Sequence, residues 1–341
     1  NPHSSDNHQA LLKNADNIQR IFEFIFSDTS IPETPKKGLF LASGFQGSPI
    51  YGTVLDKEKA SMCPENMKYH QFFPISNDRK KIIDDKDFSL WLSDECLAML
   101  TRVELDPSGK FVTYAPGLYL QSSPFNEYKQ LLSYDAIIPE AFKRNYTILK
   151  NLYAVGYNFM LHPLMSDQVY GQLKESIEKY YDRTGMKSVI GGHSQGTSFV
   201  YIFINYFVTK EWAQKYVDGV IFYAPAFSGW GTYGRSVSGK YGSGFPDSLP
   251  SMQISTMRMP GCHIMMPNEA VYGNETVIKD FPEVGKEANA SHTADLLKKL
   301  NRMDDTAYKI FQLTDKYRKY EFPEPPVPSL VIYNSFVNTG N

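Results

Sequence analysis

No stretch of eighteen or more apolar residues occurs in this sequence, which excludes a membrane-spanning helix. Cysteine is scarce: three residues in 341 cannot staple a small disulfide scaffold, and without a histidine cluster they are too few for a zinc site. No metal or other cofactor is therefore expected. Basic runs are also missing and the formal net charge is −2, so nucleic acid is not an expected partner. The sequence opens Asn1-Pro2-His3 with neither an initiator methionine nor a signal peptide, so the true N-terminus is not in view. What remains is a chain long enough to fold by burial alone and rich in aromatics, with 23 Tyr and 22 Phe.

The most informative segment is Gly192-His193-Ser194-Gln195-Gly196. An apolar run, Lys187 to Gly191, reads as a buried strand before it, and Thr197 to Val208 reads as an apolar helix after it. A Gly-x-Ser-x-Gly pentapeptide in that context fits a nucleophile elbow, a tight turn that presents Ser194. The flanking glycines have a steric reason, since side chains there would collide as the strand reverses into the helix. Upstream, Gly44-Phe45-Gln46-Gly47-Ser48 follows a strand-like Gly38–Ser43 run. There Phe45 is placed to offer one backbone N–H to an oxyanion, with Gln195 offering the second; an ordinary turn is the alternative.

Along the chain, Leu11, Ala15, Ile18, Phe22 and Ile25 share one helical face, which predicts an N-terminal amphipathic helix and linker over 1–35. Docking onto the domain and membrane contact are both open to it. Helices are expected around Pro139–Ala154 and Val169–Tyr181, and strands at Tyr157–Leu161, Val217–Tyr223 and Ser329–Tyr333, the last one buried. This alternation implies a mostly parallel sheet with helices on both faces. It assigns 36–60, 101–230 and 325–341 to the core, 61–100 to a lid and 231–324 to an irregular cap with helices near His292–Leu300 and Asp304–Leu313. Sequons at Asn145, Asn274 and Asn289 are either coincidence or N-glycosylation sites of a secretory-pathway protein.

Taken in order, these segments resemble the lecithin:cholesterol acyltransferase and lysosomal phospholipase family, which has the α/β-hydrolase fold. The matching stretches are Ala42-Ser43-Gly44-Phe45, Leu100-Thr101-Arg102, Ala115-Pro116-Gly117, the elbow, and Ala224-Pro225-Ala226-Phe227-Ser228-Gly229. Where the family has Tyr-Asp-Trp-Arg-Leu-x-Pro, this chain has Tyr157-Asn158-Phe159-Met160-Leu161-His162-Pro163, a weakened match. The resemblance implies a disulfide between Cys63 and Cys96 closing the lid, and Trp91 as a lid aromatic touching lipid, with core packing as its alternative. Cys262 is left over. It also implies a serine-dependent phospholipase or O-acyltransferase of a secreted, lysosomal or vacuolar lumen. The partners would be a phospholipid, an acyl acceptor lipid and a membrane or lipoprotein surface.

One absence bears on that reading. A triad histidine and its carboxylate normally follow the last strand in this fold, and beyond Phe336 the sequence has no Asp, Glu or His. After Ser194 the histidines are His263 and His292, both in the expected cap, with Asp280, Asp295, Asp304, Asp305 and Asp315 as carboxylates nearby in sequence. An exposed cap residue is the simpler reading of His292, and packing that of His193. The acid and base are thus expected outside this chain, in a C-terminal segment or a second chain. The alternative is a non-catalytic lipid-binding or scaffold relative.

Overall fold

The computed structural model describes residues 14–26, 37–45, 47–68, 70–73, 81–83, 89–91, 93–122, 125, 134–227, 229, 255–281, 285–315 and 322–333. Its centre is a five-stranded parallel sheet of β1 (Gly38–Ala42), β2 (Leu152–Val155), β3 (Ser188–His193), β4 (Val217–Tyr223) and β5 (Ser329–Ile332), in the spatial order β5-β4-β3-β1-β2.

Alternation along these strands explains why the sheet is covered twice. Leu39, Leu41, Leu152, Ala154, Val189, Ile221 and Tyr223 point to one apolar cluster, while Phe40, Ala42, Tyr153, Val155, Ile190, Val220 and Phe222 point to the other. The first face is closed by the helices Ala15–Phe26 and Ile137–Lys143. The second is closed by Asp167–Thr184 and by Gln195–Ile202, which continues as a π-helical turn, Phe203–Phe207.

The N-terminal helix docks through Ile18, Ile21, Phe22 and Ile25, all buried, with the Arg144 guanidinium 4.4 Å above the Phe22 ring. Its apolar face is thus spent on the sheet; Leu11 lies outside the described residues. The helix Asp167–Thr184 ends at Gly185, whose φ of 69° lets its N–H reach back to Tyr181 O.

Three expectations need correction. The helix expected over Pro139–Ala154 stops at Lys143, because Asn145 turns left-handed at φ 60° and Leu149 does so again at φ 64°. The strand therefore falls at Leu152–Val155, earlier than expected, and Tyr157–Leu161 is irregular. The last strand is half exposed: Ser329 and Val331 face solvent while Ile332 is buried, as suits the outer strand of the sheet among the described residues.

Beside the sheet, Ile50–Val54 pairs antiparallel with His70–Phe73 and Leu118–Ser122, and Cys63 is bonded to Cys96. The helix Asp94–Thr101 starts on Ser93, whose hydroxyl accepts from Cys96 N–H. The expected cap has its own core, including Met257, Met266, Leu297, Met303 and Phe311. It holds the helices Thr293–Lys299 and Asp305–Asp315 and also a hairpin, Thr276–Phe281 with Gly285–Asn289, where the sequence had read as irregular. Residues 231–250 lie outside the described residues.

Arg258 clasps this region to the rest. Its guanidinium meets Glu104 Oε2 at 2.6 Å and Asp304 Oδ2 at 2.7 Å, and Arg102 reaches Glu104 at 2.9 Å. Burial works to raise the Asp304 carboxyl, but hydrogen bonds from Arg258 and the Ala307 N–H outweigh it and hold it below 3.8. A depressed carboxylate contributes stability above its unfolded pKa and loses it only as pH falls through the lower folded value. Arg258→Ala is therefore expected to cost about 2 kcal/mol near neutrality, since it leaves the half-buried Asp304 carboxylate without its ion-pair partner and Glu104 with Arg102 alone. Urea denaturation should show that cost shrinking below about pH 4.

Candidate active site

Ser194 lies between the end of β3 and the helix Gln195–Ile202 with φ 54° and ψ −122°, a backbone region that L-residues rarely occupy. Its neighbours show what holds it there. Ser194 N–H donates to Tyr223 O at 2.8 Å, and Ser194 O accepts from Thr197 N at 3.0 Å and Thr197 Oγ1 at 2.5 Å. Both peptide groups of the serine are thus fixed, while its side chain is half-buried.

The glycines of the pentapeptide are sterically required. A Cβ on Gly192 would lie 2.3 Å from Gly196 O, and one on Gly196 would lie 2.4 Å from Ser43 O. The turn packs strand against helix too closely for any side chain. Gly44 belongs to the same arrangement, since a Cβ there would lie 2.9 Å from Ser194 Cβ.

That contact places the loop after β1 against the serine. Gly47 N–H closes a turn onto Gly44 O at 2.9 Å, and the Phe45 ring stands edge-on to Phe159 at 4.9 Å; Gln46 lies outside the described residues. Across the turn, Gln195 is the first residue of its helix, so its N–H has no intrahelical acceptor and lies at the positive end of the helix dipole. The serine, the Gly44–Gly47 turn and the start of the helix thus share one small region.

Side-chain contacts that the motifs did not foretell complete the surroundings. Tyr134 OH donates to Ala42 O at 2.6 Å, and Tyr157 OH lies 2.8 Å from Ser43 O and 3.2 Å from Gln195 Oε1. The Gln195 amide nitrogen donates to Phe159 O at 3.1 Å and Gly261 O at 2.8 Å. Asn158, where the resembling family has Asp, is buried, receives Met160 N–H on Oδ1 and donates to Tyr114 OH. Only the pairing of fully buried polar side chains could have signalled these contacts, and periodicity does not carry it.

His193 is buried under the elbow, 6.3 Å from the Tyr134 ring. His263 is buried in the cap with its Nε2 2.7 Å from Met257 O and its ring edge-on to Phe311. His292 is exposed and its Nδ1 meets Asn289 Oδ1 at 2.6 Å. Among the described residues no histidine or carboxylate hydrogen-bonds Ser194 Oγ, and no group of three His, Cys, Asp or Glu side chains could hold a metal ion.

His162, quoted above only as part of the weakened motif Tyr157–Pro163, is a further buried histidine. Its Nδ1 accepts Leu164 N–H, and burial, with His263 adding repulsion, lowers its pKa to about 3. A base whose folded pKa is depressed binds protons in the unfolded chain first, so stability drops as pH falls from about 6.5 towards 3, by up to about 1.4 kcal/mol per pH unit. His162→Asn keeps a capping acceptor, and denaturation titrations at pH 7, 5 and 4 should show a flatter acid slope.

Asn145 and Asn274 are exposed and Asn289 is half-buried. Asn274 and Asn289 line one open cleft of about 470 Å³ between the hairpin and Thr293–Lys299. Trp91 ends the strand Ser89–Trp91, but its side chain lies outside the described residues. Cys262 is a free thiol, pushed up to about 12 by burial.

A search of curated proteins finds no match. The sequence model of the family "Lecithin:cholesterol acyltransferase" matches residues 91–323, about two thirds of the chain, and spans the elbow, three of the five sheet strands and the cluster around Met257, Leu297 and Phe311. The parallel sheet, the strand-turn-helix at Ser194 and this match agree on an α/β-hydrolase-like protein of a family that works on lipid acyl groups, and the chain belongs to the lecithin:cholesterol acyltransferase family.

Proposed function

We propose that the protein is a serine-dependent lipid acyl hydrolase or acyltransferase acting on phospholipid acyl esters. Ser194 Oγ attacks the ester carbonyl, and the Phe45 and Gln195 N–H groups stabilise the oxyanion of the tetrahedral intermediate. The lysolipid alcohol then departs with a proton, leaving an acyl-serine that passes its chain to water or to a lipid alcohol. The observation that carries this reading is the backbone of Ser194, held at φ 54° beside Gly44 with its side chain half-buried. Strain of this kind persists only where the surroundings enforce it, and it clusters at working sites.

A serine hydroxyl is a weak nucleophile without a base, and none hydrogen-bonds Ser194 Oγ among the described residues. In this reading a protein segment outside the present sequence, or a second chain, supplies the histidine and its carboxylate. The lid tied by Cys63 and Cys96 carries Trp91 to a membrane or lipoprotein surface. The buried disulfide and the exposed sequons at Asn145 and Asn274 favour a secreted or lysosomal lumen, with Asn289 as a third glycosylation site. No helix among the described residues is long and apolar enough to cross a membrane.

Treatment of the protein in its natural assembly with a fluorophosphonate probe, followed by peptide mass spectrometry, should place the label on Ser194. An unlabelled Ser194 peptide from that assembly would overturn the catalytic reading in favour of a lipid-binding relative.

A further inference from the structure

The Gln195 side chain is fully buried, yet every polar atom in it is used. Its two N–H groups point at two carbonyls, Phe159 O and Gly261 O, which can only accept, so the orientation of the amide is fixed. Its oxygen then faces the Tyr157 hydroxyl, whose single proton is shared with Ser43 O. Ser43 is the residue before the Gly44–Gly47 turn, and Phe159 is the ring against which Phe45 packs. One side chain thereby reaches the root of the turn carrying Phe45, the segment supporting Phe45, and the cap.

The cap contact is as tight as the others. Gly261 N–H donates to Met160 O at 2.8 Å, and a Cβ on Gly261 would lie 1.9 Å from Phe159 O and 3.0 Å from the Gln195 amide nitrogen. Only glycine lets the cap backbone come that close. An apolar residue in place of Gln195 would fill the space but leave Phe159 O and Gly261 O as buried acceptors without this donor.

We infer that Gln195 is a positioning residue, whose side chain sets the separation of the Phe45 and Gln195 N–H groups and locks the cap segment Met259–His263 onto the site. This rests on the reading of Ser194 as nucleophile for its catalytic part only. The mechanical part, a clamp joining Tyr157–Met160, Gly261 and the elbow, stands on the hydrogen bonds alone.

The test uses the full assembly and three variants: Gln195→Met, which keeps length and loses all three hydrogen bonds; Gln195→Glu; and Tyr170→Phe. The last removes another buried hydrogen bond, Tyr170 OH to Phe199 O, and serves as a control for stability. Stopped-flow fluorophosphonate labelling of Gln195→Met should show a maximal rate ten- to a hundredfold lower, with the half-saturating probe concentration within about twofold of the parent. Gln195→Glu should recover part of its rate, relative to the parent, between pH 8 and pH 5. Its carboxyl then regains a proton to donate to a carbonyl, and a purely structural role has no reason to follow that titration. Hydrogen exchange should quicken at 157–161 and at 259–263 in Gln195→Met and stay unchanged there in Tyr170→Phe. A Gln195→Met protein that labels at the parent rate overturns the positioning role, and unchanged exchange in both segments overturns the clamp. Should the parent itself leave Ser194 unlabelled, the catalytic reading falls, and hydrogen exchange still decides for or against the clamp.

Discussion

Ser194→Gly is expected to make the protein more stable by about 1 kcal/mol while abolishing its reaction with fluorophosphonates. At φ 54° and ψ −122° a serine pays the steric cost of a region that glycine enters freely. Relief of about 1–3 kcal/mol is offset by the extra chain entropy that glycine loses on folding, about 0.5–1 kcal/mol, and the balance favours the variant. Ser194→Ala separates the two effects. It keeps the Cβ and hence the strain, so its denaturation midpoint should match the parent, whereas turnover of a phospholipid substrate should fall by about 10⁴- to 10⁶-fold. Equal stability of all three proteins would mean that the elbow stores no strain. Both peptide groups of Ser194 are tied, to β4 and to Thr197, which holds the turn in place in all three proteins.

Much of this arrangement is legible in the sequence, and the reasons are local. The strand before Ser194, the helix after it and the close approach at Gly192 and Gly196 all follow from residues adjacent in the chain. The doubly covered sheet follows from alternation that repeats in four strands. Failures occur where a single residue overrides a pattern. Ile148, Leu149 and Leu152 continue a helical spacing that Asn145 has already ended by turning left-handed, and the shift displaced the following strand. The cap hairpin was invisible because Thr276–Phe281 mixes Lys and Asp with β-branched residues, and its partner, Gly285–Asn289, has little strand propensity. Gln195 was read only for its backbone N–H. That its side chain meets Tyr157, Phe159 and Gly261 depends on partners 36 to 66 residues away from it in sequence, which no spacing rule connects.

The disulfide should show the second large effect. Cys63 and Cys96 are both buried and 33 residues apart, so opening the bond releases a loop whose closure entropy corresponds to about 3–4 kcal/mol. The Cys63→Ala/Cys96→Ala protein should therefore unfold at markedly lower urea concentration, and trypsin should cut first within 64–95. The damage should not stay within the loop 63–96. Cys96 lies in the first turn of the helix Asp94–Thr101, whose Ala98 O accepts Ser255 Oγ at 3.0 Å, and the strand after that helix carries Glu104, the partner of Arg258. Loosening the helix thus removes two of the contacts that hold the cap, and hydrogen exchange in 255–263 should rise together with that in 94–101. Pairing of Ile50–Val54 with His70–Phe73 offers the loop a second restraint near its start. A loss below about 1 kcal/mol would show that this antiparallel pairing, rather than the covalent bond, confines the unfolded loop. Exchange confined to 94–101 would show that the cap is held chiefly from the other side, through Gly261 and the elbow.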